Sequence, residues 1–557
     1  MISVRLGFWS LTAALHFVSP VVSESSPPQY DLLLEGGRVF DGSGNPWVYA
    51  DIAVDEGRIA AVGALDGATA ERTLDVSGLF VMPGIIDIHS HVNARFDDDN
   101  EEVRATINNL TQGVTTVVFG ESRSVWPTGG RIGEITEKWS RRGIGTNAAM
   151  LVGIDSVRLE VLGSPDVTPD KLQLERMKQL VRDGMEGGAF GIGSALDYWA
   201  GHFFTTDEVI ALAEAAAPYG GIYMSHIRSE GTRSIWWVES DPSARVTHLD
   251  AIRELIDVAR AAQIPVHIAH IKSTGIPFWG KSRDACRLIE AARAEGVAIT
   301  ADQYPYTYSG PDQNTQLFKW ETYRGESIPP GTENPGDVVR HFKEQLATRM
   351  ENDAIFAQKV KKDVYHEVLA RGGADRMFVT DFEPRPAYVG ESLSRIASSR
   401  GEDLYETARY LQLEHDGVIL SYSMSEEDIA YYLTRDYIAP ATDGFSERLR
   451  HPRSYGTFPR FIRKYVIEEE VVTLPFFVRK ATSLPASIMG FDDRGWIQKG
   501  YWADIAVFDP EEIRDRATLE QMDAESVGVE YVLVNGKLVI EEGRYTGELA
   551  GQVILRN

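Results

Sequence analysis

A single cysteine, Cys286, is all that this 557-residue chain contains. No internal disulfide can form, and thiolate-rich metal clusters are excluded. Cys286 falls in a helical stretch, 282–293, and reads as a packed thiol. Positive charge is also scarce. The 56 Lys and Arg face 82 Asp and Glu, for a net charge of -26. Such a balance argues against nucleic acid or an anionic membrane as partner. An anionic substrate would need local cations at its site. The N-terminal apolar stretch, residues 6–18, is short for a bilayer span. It follows Arg5 and precedes the small residues Val21-Val22-Ser23, so residues 1–23 read as a cleaved export signal. That reading places the protein in a bacterial periplasm or outside the cell. No cysteine lies near it, so a lipoprotein-type anchor is excluded and no stable membrane anchor is expected. The acidic run Asp97-Asp98-Asp99 lacks the spacing of a calcium loop and reads as solvated.

With 43% hydrophobic and 25% charged residues, the chain has the profile of a soluble globular protein. It is long enough for a barrel plus an accessory domain. Both ends read as short strands with tight turns at Asp41-Gly42, Glu56-Gly57 and Asn535-Gly536. This suggests one small β-sandwich built from residues 30–82 and 495–557. The middle, 83–494, alternates strand and helix. Strands are expected at 84–88, 115–119, 147–152, 189–192, 222–225, 266–269, 298–301 and 437–441. Helices such as 171–183, 206–217, 248–262 and 283–295 lie between them. Eight such units point to an α/β fold, a (β/α)8 TIM-like barrel, whose active site lies at the C-terminal strand ends. The regularity breaks at 310–376, an aromatic and charged stretch between the seventh and eighth strands, expected to form a lid.

His89-Ser-His91 ends the apolar run 79–88. Alternate residues of a strand share a face, so both imidazoles project together. His226, His270 and Asp443 also end strand-like runs. Imidazole and carboxylate groups gathered at strand tips suit a catalytic zinc site, or one for another divalent ion. Two ions would need a bridging group, and Glu121, after the second strand, is the best-placed carboxylate. Asp87 lies one step deeper than the ligands and reads as a support for them. His267 has the opposite parity to His270 and reads as a packed or supporting histidine.

The segments Pro83-Gly-Ile-Ile-Asp-Ile-His-Ser-His91, Gly113-Val-Thr-Thr-Val117, Ser225-His-Ile-Arg228, Ile268-Ala-His-Ile-Lys272 and Ala441-Thr-Asp443 resemble the amidohydrolase superfamily. His451-Pro-Arg453 with Gly456-Thr-Phe-Pro-Arg460 narrows the resemblance to the N-acyl-D-amino-acid deacylase (D-aminoacylase) family. It covers the chain from about Tyr30 onward. The resemblance implies one metal on His89, His91 and Asp443 and a second on His226 and His270. Relatives commonly complete the second site with a cysteine, where this chain has Gly120-Glu121-Ser122. That departure favours a carboxylate-bridged pair of zinc ions. The resemblance also implies that Arg453, Lys272 and Tyr198 contact the substrate, and Arg228, on the parity of His226, joins this set. A second departure follows the seventh strand, where Tyr304-Pro-Tyr-Thr-Tyr-Ser-Gly310 replaces a Ser-Thr pair after Tyr-Pro-Tyr.

The implied activity is hydrolysis of a linear amide, deacylation of an N-acyl-D-amino acid or similar compound. Metal-activated hydroxide would attack, with Asp443 as general base and acid. A dipeptidase or cyclic-amide hydrolase with the same metals remains open, as does a non-catalytic scaffold. The expected partner is a small, carboxylate-bearing substrate. Homo-oligomerisation is left undecided.

Overall fold

The computed structural model describes residues 29–121, 131–163, 167–198, 201–234, 246–312, 317–318, 335–445 and 451–556. The export signal expected at 1–23 lies outside them. Eight parallel strands form the central barrel: β1 (Ile85–Asp87), β2 (Val114–Phe119), β3 (Asn147–Met150), β4 (Gly191–Ala195), β5 (Ile222–His226), β6 (Val266–Ile268), β7 (Ile299–Gln303) and β8 (Ile438–Pro440). β1, β2 and β3 pair in order. The third strand breaks at Leu151 and resumes as Val152–Gly153, which pairs with β4, and pairing then runs on to β8. The ring closes at the strand tips. Ser90–His91 pairs in parallel with Gly444–Phe445, and the Asp443 N–H donates to the His89 carbonyl at 2.9 Å. His89 and Asp443 are therefore neighbours although 354 positions of chain order separate their numbers (443 − 89).

The outer helices begin where local chemistry satisfies their free N–H groups. Asp170, Thr205 and Thr247 each form a capping box, on helices Lys171–Glu186, Thr206–Ala216 and His248–Ala262. Their apolar stripes pack onto the strands in one large core. Strand β4 lies later than the sequence pattern predicts. Its glycines are there because backbone passes close by. A Cβ on Gly191 would stand 2.0 Å from the Ile222 carbonyl oxygen, and one on Gly193 would stand 2.1 Å from that of Gly120. Strand propensity, which disfavours glycine, points away from these positions.

The apolar run at 79–88 divides between two layers. Phe80–Pro83 belongs to a nine-stranded sheet made from both chain ends, and Ile85–Asp87 belongs to the barrel. The two ends meet where Ile505–Phe508 pairs antiparallel with Phe80–Pro83. Asn535-Gly536 and Glu56-Gly57 turn with left-handed φ at both positions, as two-residue hairpins require.

The insertion before β8 is larger than the lid expected at 310–376, part of which lies outside the described residues. Strands Ser309–Asp312, Met377–Asp381 and Val418–Ser421 form a three-stranded antiparallel sheet. Helices Pro335–Asn352 and Ala354–Ala370 contribute to a core separate from that of the barrel. The physical reason is burial: these helices carry apolar side chains that the segment 377–421 covers. Among the described residues, no helix is long and apolar enough to cross a membrane.

Candidate metal centre

His89, His91, Glu121, His226, His270 and Asp443 meet at the C-terminal ends of the strands, all of them buried. Their ligand atoms fall into overlapping groups of three, each within 4.8 Å: His89, His91 and Glu121; Glu121, His226 and His270; His89, His270 and Asp443. His91 Nε2 lies 3.0 Å from Asp443 Oδ1, and His89 Nε2 lies 3.7 Å from both Glu121 Oε2 and Asp443 Oδ1. His226 Nδ1 faces His270 Nε2 at 2.9 Å. Glu121, 2% exposed, is held by the backbone N–H of His226, which donates to its Oε1 at 2.8 Å. The backbone is strained at two of these positions. His270 and Asp443 have φ of +34° and +46°, each costing on the order of 1–3 kcal/mol in a residue with a side chain.

The donor set fits divalent ions. His89 Nε2 and His91 Nδ1 are buried with no hydrogen-bond partner, a state that is unfavourable unless a ligand engages them. Burial pushes His226 down to about 3, so its imidazole is neutral, the form that binds metal. Burial alone would raise Asp443. The charges of Arg453, His270 and His89 outweigh it and hold the carboxyl well below the usual range.

A second ring of groups orients these ligands. Asp302, at the tip of β7 and wholly buried, lies 3.3 Å from His89 Nδ1 and 3.0 Å from His267 Nε2. It also accepts from the His270 backbone N–H at 2.9 Å. Such carboxylate–histidine pairs fix which ring nitrogen faces a metal. His267 is thus a support, on Asp302 and Thr300. Asp87 accepts from Thr442 N at 2.9 Å and Oγ1 at 2.6 Å, bracing the turn before Asp443. Burial pushes its carboxyl up to about 7 against those hydrogen bonds. Glu230 lies 3.0 Å from His270 Nδ1 and accepts from Lys272 Nζ at 2.6 Å. Neither Asp302 nor Glu230 was singled out above. Asp302 carried a signal, as a carboxylate directly after the strand expected at 298–301. Glu230 carried none, because only the loop after β5 brings it back to His270.

His91, Glu121, His226, His270 and Asp443 open onto a cavity of about 280 Å³, which Tyr198, Lys272, Tyr304 and Arg453 also line. The Tyr198 ring packs on His226 with centroids 4.4 Å apart. Arg453 Nη1 bonds Asp443 Oδ2 at 2.8 Å, and His451 Nδ1 accepts the Arg453 backbone N–H. Ser309 and Gly310, at the second sequence departure, also reach the cavity, and Ser309 Oγ lies 2.6 Å from Ser423 Oγ. Arg228 does not line it. Its guanidinium bonds Glu254 and the carbonyls of His202 and Phe204. The strand parity that places it beside His226 ends at His226, where β5 ends and Ile227 turns into the core. Asp97 and Asp99 pair with Lys138 and Arg142, away from the centre. Cys286 is buried, and burial pushes its thiol up to about 11.

The profile of the "Amidohydrolase family" matches residues 439–540. D-aminoacylase of Alcaligenes xylosoxydans xylosoxydans is 30% identical over 96% of this chain and 99% of its own. Among solved structures, an N-acyl-D-glutamate deacylase from Bordetella bronchiseptica, complexed with zinc and a phosphonate inhibitor, aligns with a TM-score of 0.74 at 28% identity. That alignment covers 94% of this chain and 99% of the other. A D-aminoacylase structure addressing the role of that enzyme's binuclear metal centre aligns with a TM-score of 0.74, 28% identity, and 95% and 100% coverage.

Proposed function

Because this chain belongs to the D-aminoacylase family of amidohydrolases, we propose that it deacylates an N-acylated D-amino acid, with two zinc ions bridged by Glu121. The supporting observation is that Glu121 belongs to two groups of candidate ligands at the strand tips. His89, His91 and Asp443 would hold one ion, and His226 and His270 the other. When bound, such ions act as Lewis acids and lower the pKa of a coordinated water to about 7.

The remaining work falls to side chains. Asp443 Oδ1 takes a proton from the attacking water and delivers it to the departing amine nitrogen. Arg453 presents a fork suited to a carboxylate. Lys272, held against Glu230 and His270 Nδ1, adds positive charge beside the ligands. Tyr198 shields His226 on its cavity side. The pattern at residues 1–23 supports export as part of this reading. N-terminal sequencing of protein recovered from a bacterial periplasm should start after Ser23, and an intact Met1 there would oppose it.

Zinc-loaded protein assayed on N-acyl D-amino acids, their L enantiomers, dipeptides and cyclic amides tests the reading. Turnover should be confined to the D-acylated compounds. Turnover only of dipeptides or cyclic amides would replace the substrate assignment. No turnover of any, with zinc bound, would leave a scaffold.

A further inference from the structure

Two oppositely charged side chains meet one nitrogen of a proposed zinc ligand. His270 Nδ1 lies 3.0 Å from Lys272 Nζ and 3.0 Å from Glu230 Oε1. Lys272 Nζ donates to that same Glu230 oxygen at 2.6 Å. An ammonium only donates and a carboxylate only accepts, so a neutral ring nitrogen can satisfy one of them and not both. If Nδ1 accepts from Lys272, the ring hydrogen sits on Nε2, which faces His226 Nδ1 at 2.9 Å. If Nδ1 donates to Glu230, Nε2 keeps a lone pair for a metal. Resting on the two-ion reading above, we propose that Lys272 and the ion at His226 and His270 compete for His270. Glu230 is the positioning residue between them: with the ion bound it accepts from His270 Nδ1, and Lys272 is turned toward the cavity.

Three observations carry this. The ion pair does not need His270, because Lys272 already reaches Glu230 directly. Its contact with the ring is therefore a separate bond, and it is the one that conflicts with metal binding at Nε2. Second, Lys272 has somewhere to go. It and Glu230 both line the cavity, and the Tyr304 ring centroid stands 5.4 Å from Lys272 Nζ, within reach of a cation–π contact. The flexible stem of a lysine allows such a turn, where a planar arginine fork would not. Third, Lys272 stays a donor throughout. Burial alone would lower its affinity for the proton, and the neighbouring Glu230 charge outweighs burial and raises it. The competition has a consequence for substrate. A substrate carboxylate that draws Lys272 into the cavity should tighten the ion at His226 and His270, and that ion should tighten the substrate by the same factor.

Calorimetric titration of zinc-stripped protein with zinc reads this without any substrate. The parent should bind two ions, and His226→Ala, which removes a ligand of one, marks the step that belongs to it. Lys272→Met should tighten that step by about tenfold or more, because His270 Nδ1 is then free to donate to Glu230. Glu230→Gln should loosen it by about ten- to a hundredfold, the scale of a lost partner of a metal-bound histidine. A purely structural role for the pair would loosen the step in both variants. In crystals of the two-zinc parent, Lys272 Nζ should stand beyond about 3.5 Å from His270 Nδ1, out of hydrogen-bond reach. That arm needs no variant to fold and does not respond to long-range charge. Two ions in the parent with Lys272→Met unchanged or looser, or with Lys272 still bonded to His270, overturn this inference alone. A parent that binds a single ion overturns it together with the two-ion reading.

Discussion

In the proposed reaction Asp443 would have two duties, as ligand and as proton carrier, and Arg453 already occupies its Oδ2. Asparagine keeps its size and one ligating oxygen but cannot accept the proton. Asp443→Asn should therefore lower kcat by about 10²-fold or more while much of the metal stays bound. Unchanged kcat with full metal would place the base elsewhere. Glu121 differs, because no other carboxylate stands in both groups of ligands that contain it. Metal analysis of Glu121→Ala should show about one ion per chain where the parent carries about two. A fully loaded and fully active Glu121→Ala protein would sink the bridging assignment.

Between elements, the decisive feature is how closely β4 approaches the segment that carries Glu121. A Cβ on Gly193 would stand 2.1 Å from the Gly120 carbonyl oxygen and 2.6 Å from Glu121 Cα, both backbone atoms. Gly193→Ala should cost about 1–3 kcal/mol, as overpacking does. It should also lower bound metal by displacing Glu121. Gly133, exposed within helix Ile132–Arg142, has nothing within 4 Å of its would-be Cβ. Gly133→Ala should be stabilising by up to about 1 kcal/mol. Thermal melts and metal content of the two variants check this contrast. Equal effects from both would mean that glycine's backbone entropy, not close approach, governs Gly193.

For the whole molecule, the proposed ions tie together strand tips from β1, β2, β5, β6 and β8. A ligand that binds only the folded state adds about 2.7 kcal/mol at a hundredfold excess over its Kd. Chelation should accordingly lower Tm, and zinc should restore it. A Tm indifferent to chelator, in protein shown to have lost its metal, would mean that the centre forms without help from the ions. The strained φ values at His270 and Asp443 argue that the ions do contribute.

The barrel, the sheet built from both ends, and the gathering of the candidate ligands at the strand tips were legible in the sequence. Period-two alternation, strand-end position and turn dipeptides are local properties, and His89-Ser-His91 carries its geometry within three residues. What the sequence by itself determined is thus which groups lie at strand tips. Only the tertiary structure decided which of them face one another. Asp302 reaches His89, and Glu230 reaches His270, through strand order and loop path, which no spacing encodes. Arg228 shares a strand's parity but leaves the cavity, because the strand ends before it and Glu254 captures it. The insertion extended past its expected boundary because its helices needed apolar cover, which strands Met377–Asp381 and Val418–Ser421 help to supply. Its Arg371 meets Arg233 through Glu367 for the same reason: a charged group finds its partner in space, after burial has set the distances.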